Sequence, residues 1–154
     1  MTRMRLFLAT IAVVCLIPAV ARAAVPYGTP FTLGVGASTA VGDEGLVLGF
    51  EGILADSRCP TGVWCFWEGD AAAALWLDIP ACPRQEFVLH TYWDYQRSVD
   101  LCLAVVELLD VQPYPHVNEP PIDPLDYVVT VVVQDSGPTN TEPRSWGALK
   151  ALYR

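Results

Sequence analysis

The segment from Tyr127 to Gln134 constrains the fold more than any other. Tyr127, Val129, Val131 and Val133 alternate with Val128, Thr130 and Val132, so both of its faces are mostly apolar and β-branched. A strand that is apolar on both sides needs cover on both sides, which places it in the middle of a sheet. The same period of two runs through Leu46, Leu48 and Phe50, set against Val47 and Gly49. It continues to Ile53 and Leu54 before Asp56-Ser57-Arg58-Cys59-Pro60 breaks it, giving a strand over 46–55. Further strands are expected near 31–35, 64–68, 71–78, 86–92 and 98–111, the last bent or bulged. Thirteen prolines weigh against long helices. The expectation is an all-β protein, an antiparallel, immunoglobulin-like sandwich of about seven strands.

Two segments carry a rival reading. Ala71 to Leu77 is rich in helix formers, but it is short, follows Gly69 and stops before Pro80, so strand is preferred. In Val105 to Val111, Glu107 and Asp110 have the spacing of neighbours on a short helix. Residues 112–125, with Pro113-Tyr114-Pro115 and Pro120-Pro121-Ile122-Asp123-Pro124, read as a stiff extended crossover ahead of the last strand.

The two ends differ in composition from this body. Arg3 and Arg5 precede the apolar run Leu6 to Val20, and Ala21-Arg22-Ala23 has the small residues of a signal-peptidase site, so 1–23 is read as a removed secretory signal. The run is shorter than the ~20 residues that span a bilayer. Val14 ahead of Cys15 speaks against a lipoprotein signal. Residues 24–135 then form the sandwich domain, 136–144 a polar linker, and 145–154 a basic, aromatic tail in which helical spacing would bring Trp146, Leu149 and Tyr153 together. That tail either docks back on the domain or serves as a recognition or sorting tag.

Without the signal, six basic residues face seventeen acidic ones, a formal charge of −11. Such a surface is a poor partner for nucleic acid. Cleavage also leaves Cys59, Cys65, Cys82 and Cys102, an even set that in an exported chain reads as two disulfides. Four cysteines allow three connectivities. The turn formers Pro60 and Gly62 favour Cys59 with Cys65 across a tight loop, which leaves Cys82 with Cys102. On the chain-entropy view these contribute ~2.4 and ~3.3 kcal/mol. The localisation expected is secreted, periplasmic or cell-surface, with no stable membrane span once the signal is gone.

The loop is also the most distinctive stretch of the chain. Asp56-Ser57-Arg58-Cys59-Pro60, a short gap, then Cys65-Phe66-Trp67-Glu68-Gly69 resembles a family of small exported or lipid-anchored bacterial and archaeal domains of uncharacterised function. Glu68 stands where that family usually has a small residue. The likeness extends over roughly 31–134, through Phe31-Thr32-Leu33, Leu108 to Pro115, and Ile122 to Tyr127, although these flanks are generic. It implies a secreted β-rich domain and carries no substrate, cofactor or catalytic residue with it.

The chemistry-bearing residues point away from catalysis. His90 and His116 are far apart in sequence and sit in no metal-spaced pattern, and disulfide-bonded cysteines cannot be ligands, so neither a metal nor another cofactor is expected. Glu119, Asp123, Asp126 and the Asp43-Glu44 pair are oxygen donors but match no calcium loop, and read as solvated loop carboxylates. There is no Gly-x-Ser-x-Gly, and only the fold could bring Ser57 to a histidine. Asp56 is expected to cap a turn, with Arg58 reaching Glu68 or Asp70 across the hairpin. Strand alternation would set Trp64 and Phe66 on one face and Trp67 on the other, with at least one in the core. Tyr92-Trp93-Asp94-Tyr95 reads as a turn between strands, with rings capable of stacking on a sugar. The functional expectation is a non-enzymatic exported binding module that meets a protein or glycan at the cell surface through Arg58, Trp64, Phe66 and Trp67. The alternatives are a secreted hydrolase with an unrecognised site and a structural accessory domain of the envelope.

Overall fold

The computed structural model describes residues 23–80 and 82–136. The expected signal ahead of Ala23, the linker beyond Ser136 and the basic aromatic tail lie outside the described residues.

Eight strands and no helix are found among the described residues: β1 (Phe31–Gly34), β2 (Ser38–Val41), β3 (Leu46–Asp56), β4 (Ala71–Ile79), β5 (Cys82–His90), β6 (Ser98–Leu101), β7 (Ala104–Gln112) and β8 (Val128–Asp135). They form two antiparallel sheets, ordered β2-β3-β4-β5 and β1-β8-β7-β6. The protein is therefore an all-β sandwich. Each sheet is a meander, with β1 added to the second sheet beside β8, so the likeness to an immunoglobulin domain lies in the two layers rather than in the strand order.

One apolar core is shared by both sheets, and period-two alternation decides its members. Leu46, Leu48 and Phe50 of β3 and Ala71, Ala73, Leu75, Leu77 and Ile79 of β4 face it from one side. Val106 and Leu108 of β7 and Val129, Val131 and Val133 of β8 face it from the other. As expected from its two apolar faces, β8 is a central strand, paired with β1 and β7. The helix-forming residues of β4 lie in a strand because their alternate members have a core to fill, and 105–111 is strand for the same reason.

Two expectations are corrected. The stretch 98–111 is not one bent strand but the β6–β7 hairpin, turning at Cys102-Leu103 with Leu101 paired to Ala104. Cys102 holds a left-handed φ of 56°, a position usually filled by glycine or asparagine, and is disulfide-bonded to Cys82. Residues 64–68 form no strand; they belong to the tip of the loop between β3 and β4.

The outer face of the first sheet is closed by a different device. The Trp76 ring lies directly over Gly49, where a Cβ would overlap it, and the Arg84 guanidinium stacks 3.8 Å above that ring. This tryptophan is thus part of the framework and not of an exposed surface.

Candidate functional site

The β3–β4 hairpin does not end where its strands do. Ser57 N–H donates to the Asp70 carbonyl at 2.7 Å and Cys59 N–H to the Glu68 carbonyl at 2.8 Å, extending the ladder outward. The Cys59–Cys65 disulfide then closes the tip, with Cα atoms 5.9 Å apart. Gly69 permits the two legs to come this close: its φ is +77°, and a Cβ there would strike the Ser57 carbonyl and lie 2.7 Å from Arg58 Cα. The Ser57 hydroxyl donates to the Asp70 carbonyl at 3.1 Å and accepts from the Asp70 N–H at 3.2 Å.

The tip is also tied to the proline crossover. Thr61 N–H donates to the Pro115 carbonyl at 2.9 Å, and Val117 N–H to the Thr61 carbonyl at 3.1 Å. Beneath it, Arg58 is 6% exposed and its partner is not Glu68 or Asp70 but Asp56. Its Nε and Nη2 fork onto the two carboxylate oxygens at 2.9 and 2.6 Å. Nη1 donates to the Val111 carbonyl at 2.6 Å and Nη2 to the Pro113 carbonyl at 2.9 Å, so the group bridges from the β3 end to the β7 end. The Tyr127 hydroxyl completes the set on Asp56 at 3.0 Å. Burial alone would raise the Asp56 carboxyl. The Arg58 side chain and N–H, the charge of Arg58 and the Tyr127 hydroxyl together hold it below the usual carboxylate value. Tyr127 is shifted up, by burial first and then by its bond to Asp56.

A second buried carboxylate works on the opposite side of the loop. Asp70 accepts from Tyr92 N–H at 3.0 Å and from the Thr91 hydroxyl at 3.3 Å, and its other oxygen lies 2.7 Å from His90 Nδ1. Burial pushes its carboxyl up, but the His90 contact, these two donors and the His90 charge prevail and lower it. Asp70 thereby fixes the turn 91–97 against the loop. Ser57, Asp70 and His90 are the residue types of a nucleophilic triad without its wiring, because both bonds of the Ser57 hydroxyl go to the Asp70 main chain.

With the framework fixed in this way, the apolar rings of the tip face solvent. Trp64 is 102% and Phe66 108% exposed, and Trp67 is 48% exposed. The expectation that one of them enters the core is overturned: the alternation that would bury it requires a strand, and the disulfide-closed tip has none. Trp67 meets Tyr92 edge-on, with centroids 5.6 Å apart, and Tyr92 in turn contacts Trp93 at 5.6 Å and Tyr95 at 5.1 Å. The loop and the 91–97 turn therefore share one aromatic surface. Trp67 lies on it, Trp64 and Phe66 project from the same loop into solvent, and Arg58 is buried beneath the loop.

Sequence reasoning named Asp70 as a partner for Arg58 but missed its bonds to His90, Thr91 and Tyr92, and it missed the bond of Tyr127 to Asp56 and the junction of Trp67 with Tyr92. Of these, Asp70 left a local signal, as a carboxylate directly after the loop glycine and ahead of the apolar run Ala71 to Leu77. No group of three or more His, Cys, Asp or Glu side chains comes together as a metal site among the described residues. The described residues contain no helix long and apolar enough to cross a membrane.

No protein family model, curated protein or solved structure matches the chain. The class its own geometry defines is an all-β sandwich with two disulfides and a cross-linked aromatic loop at one end.

Proposed function

We propose that the protein is an exported, non-enzymatic binding module that contacts a protein or glycan at the cell surface through the disulfide-locked loop. The reading is carried by one observation: Trp64 and Phe66 are fully exposed on a loop fixed by a disulfide, two ladder bonds and two bonds to the crossover. Burying a ring of this size in a contact removes about 150–250 Å² from water. Because the loop is already ordered, little conformational entropy opposes that gain. Large rings left in water on a stiff support do nothing for the fold and are suited to a partner. The role of Arg58 in this reading is to hold the loop in place, since its guanidinium is occupied by Asp56 and two carbonyls. Two disulfides fit an oxidising compartment. The hydrolase alternative gains nothing from Ser57, whose hydroxyl is held by the Asp70 main chain.

The test is recovery of partners from native membranes and culture supernatant with the wild type and with Trp64→Ala plus Trp67→Ala. The double variant is expected to lose partners that the wild type retains. An unchanged set recovered by a folded variant refutes the loop as the contact.

A further inference from the structure

Beside the aromatic loop lies a cleft of about 360 Å³, within the range of small-ligand sites. Its walls come from three separate segments: Glu68 from the loop, Trp93 and Arg97 from the turn that Asp70 fixes, and Asp110 and Tyr114 from the end of β7 and the crossover. Arg58 contributes to the wall but is already neutralised by Asp56 and stacked 4.7 Å from the Tyr114 ring centroid.

Trp93 is 68% exposed, so an aromatic surface is available at the cleft rather than withdrawn into the core. The polar groups around it are underused. Among the described residues the Arg97 side chain makes a single long bond, 3.4 Å from Nη2 to the Leu108 carbonyl, and its Nε is shielded from solvent without a partner. Among the described residues the Glu68 side chain has no hydrogen bond or ion pair, and neither carboxylate lies within ion-pair distance of Arg97. Among the described residues the Asp110 carboxylate accepts only from the Val111 N–H and the Gln112 amide, both near neighbours in the chain.

We infer that this cleft binds a neutral sugar unit of a glycan, stacked on Trp93 and held at its hydroxyls by Glu68, Asp110 and Arg97. A pyranose has an apolar C–H face suited to an aromatic ring and a rim of hydroxyls, each able to donate and accept. Planar carboxylates and a guanidinium match that rim. The charge balance disfavours an acidic ligand: Arg97 stands against two carboxylates, so an acidic sugar would bring a third negative charge to the site. An apolar peptide finds no matching groove here, since Leu109 is the one aliphatic side chain in the lining. The inference rests on the binding-module reading, and it names the ligand class on the glycan side of that reading.

Cellohexaose, maltohexaose, mannohexaose and xylohexaose, with oligogalacturonate as the acidic comparison, are titrated into the full chain by calorimetry. At least one neutral oligomer is expected to bind, more tightly than oligogalacturonate. Trp93→Ala should weaken it roughly tenfold or more, Trp93→Phe should restore part of the affinity, and Asp110→Asn should weaken it without lowering the melting temperature. Leu54→Ala, an exposed site outside the cleft, should leave binding unchanged. Binding of none of the four neutral oligomers, preference for oligogalacturonate, or an affinity insensitive to Trp93→Ala each overturns the inference. The two proposals fail separately. No sugar binding with partner recovery still dependent on Trp64 and Trp67 removes the cleft alone, and Trp93-dependent sugar binding without such recovery removes the loop contact alone.

Discussion

Arg58 and Asp56 are joined by a two-pronged ion pair almost wholly out of solvent, although they are only two residues apart in the chain. What makes the pair tertiary is the remainder of the guanidinium, which reaches the Val111 carbonyl on β7 of the other sheet and the Pro113 carbonyl at the start of the crossover. Removing the cation leaves a buried carboxylate with only the Tyr127 hydroxyl and the residue-58 N–H. Arg58→Ala should therefore cost about 3–5 kcal/mol in urea denaturation. Arg58→Lys should recover only part of that, because an ammonium cannot supply the fork and both carbonyl bonds at once. A loss below about 1 kcal/mol for Arg58→Ala would show that the bridge does not hold the sheets together.

The two lowered carboxylates set an acid limit. Both Asp56 and Asp70 titrate below their unfolded value of about 4, so the stability they contribute is fully present above that pH. It is lost as pH falls through their lower folded values. Asp70→Asn should be less stable at neutral pH and show a shallower loss on acidification. Tyr127 has the opposite sign: its folded value is raised, so its share is full below about 10 and is lost as pH climbs through the folded value. Thermal unfolding followed from pH 2 to 11 reads both arms. An acid arm that is equally steep in Asp70→Asn contradicts the assignment.

Gly69 and Gly36 separate two reasons for a glycine. Both have left-handed φ, +77° and +73°, but a Cβ at Gly36 meets open space while one at Gly69 meets the Ser57 carbonyl. Gly36→Ala should cost only the conformational penalty of about 1–2 kcal/mol. Gly69→Ala should cost at least about 1 kcal/mol more, because the hairpin legs must separate. Equal losses in urea titrations of the two variants would mean that the legs part freely.

The strand pattern was legible wherever a residue alternates between core and surface. Leu46 to Phe50 and Val129 to Val133 declare their inward faces directly, and the cysteine spacing indicated the loop disulfide. The β6–β7 turn was hidden because Cys102 occupies a left-handed position without the glycine that normally marks one. Trp64, Phe66 and Trp67 were read as strand residues because their spacing is indifferent to whether the ladder continues; closure at Cys59–Cys65 decides that it does not. The partners of Arg58 were out of reach for another reason. Two of them are carbonyls on β7 and the crossover, and main-chain acceptors leave no trace in side-chain identity. In hindsight Asp-Ser-Arg-Cys-Pro together with Gly69 is a loop-fixing motif, with Asp56, Ser57, Arg58, Cys59 and Gly69 each serving the geometry of the hairpin.

The central claim is that the loop rings serve a contact and not the fold. It is tested most directly by measuring, on Trp64→Ala plus Phe66→Ala, both unfolding free energy and retention on native envelopes. Rings exposed this fully should leave stability within about 0.5 kcal/mol of the wild type, while retention falls at least roughly tenfold. Unchanged retention in a variant of wild-type stability would contradict the account.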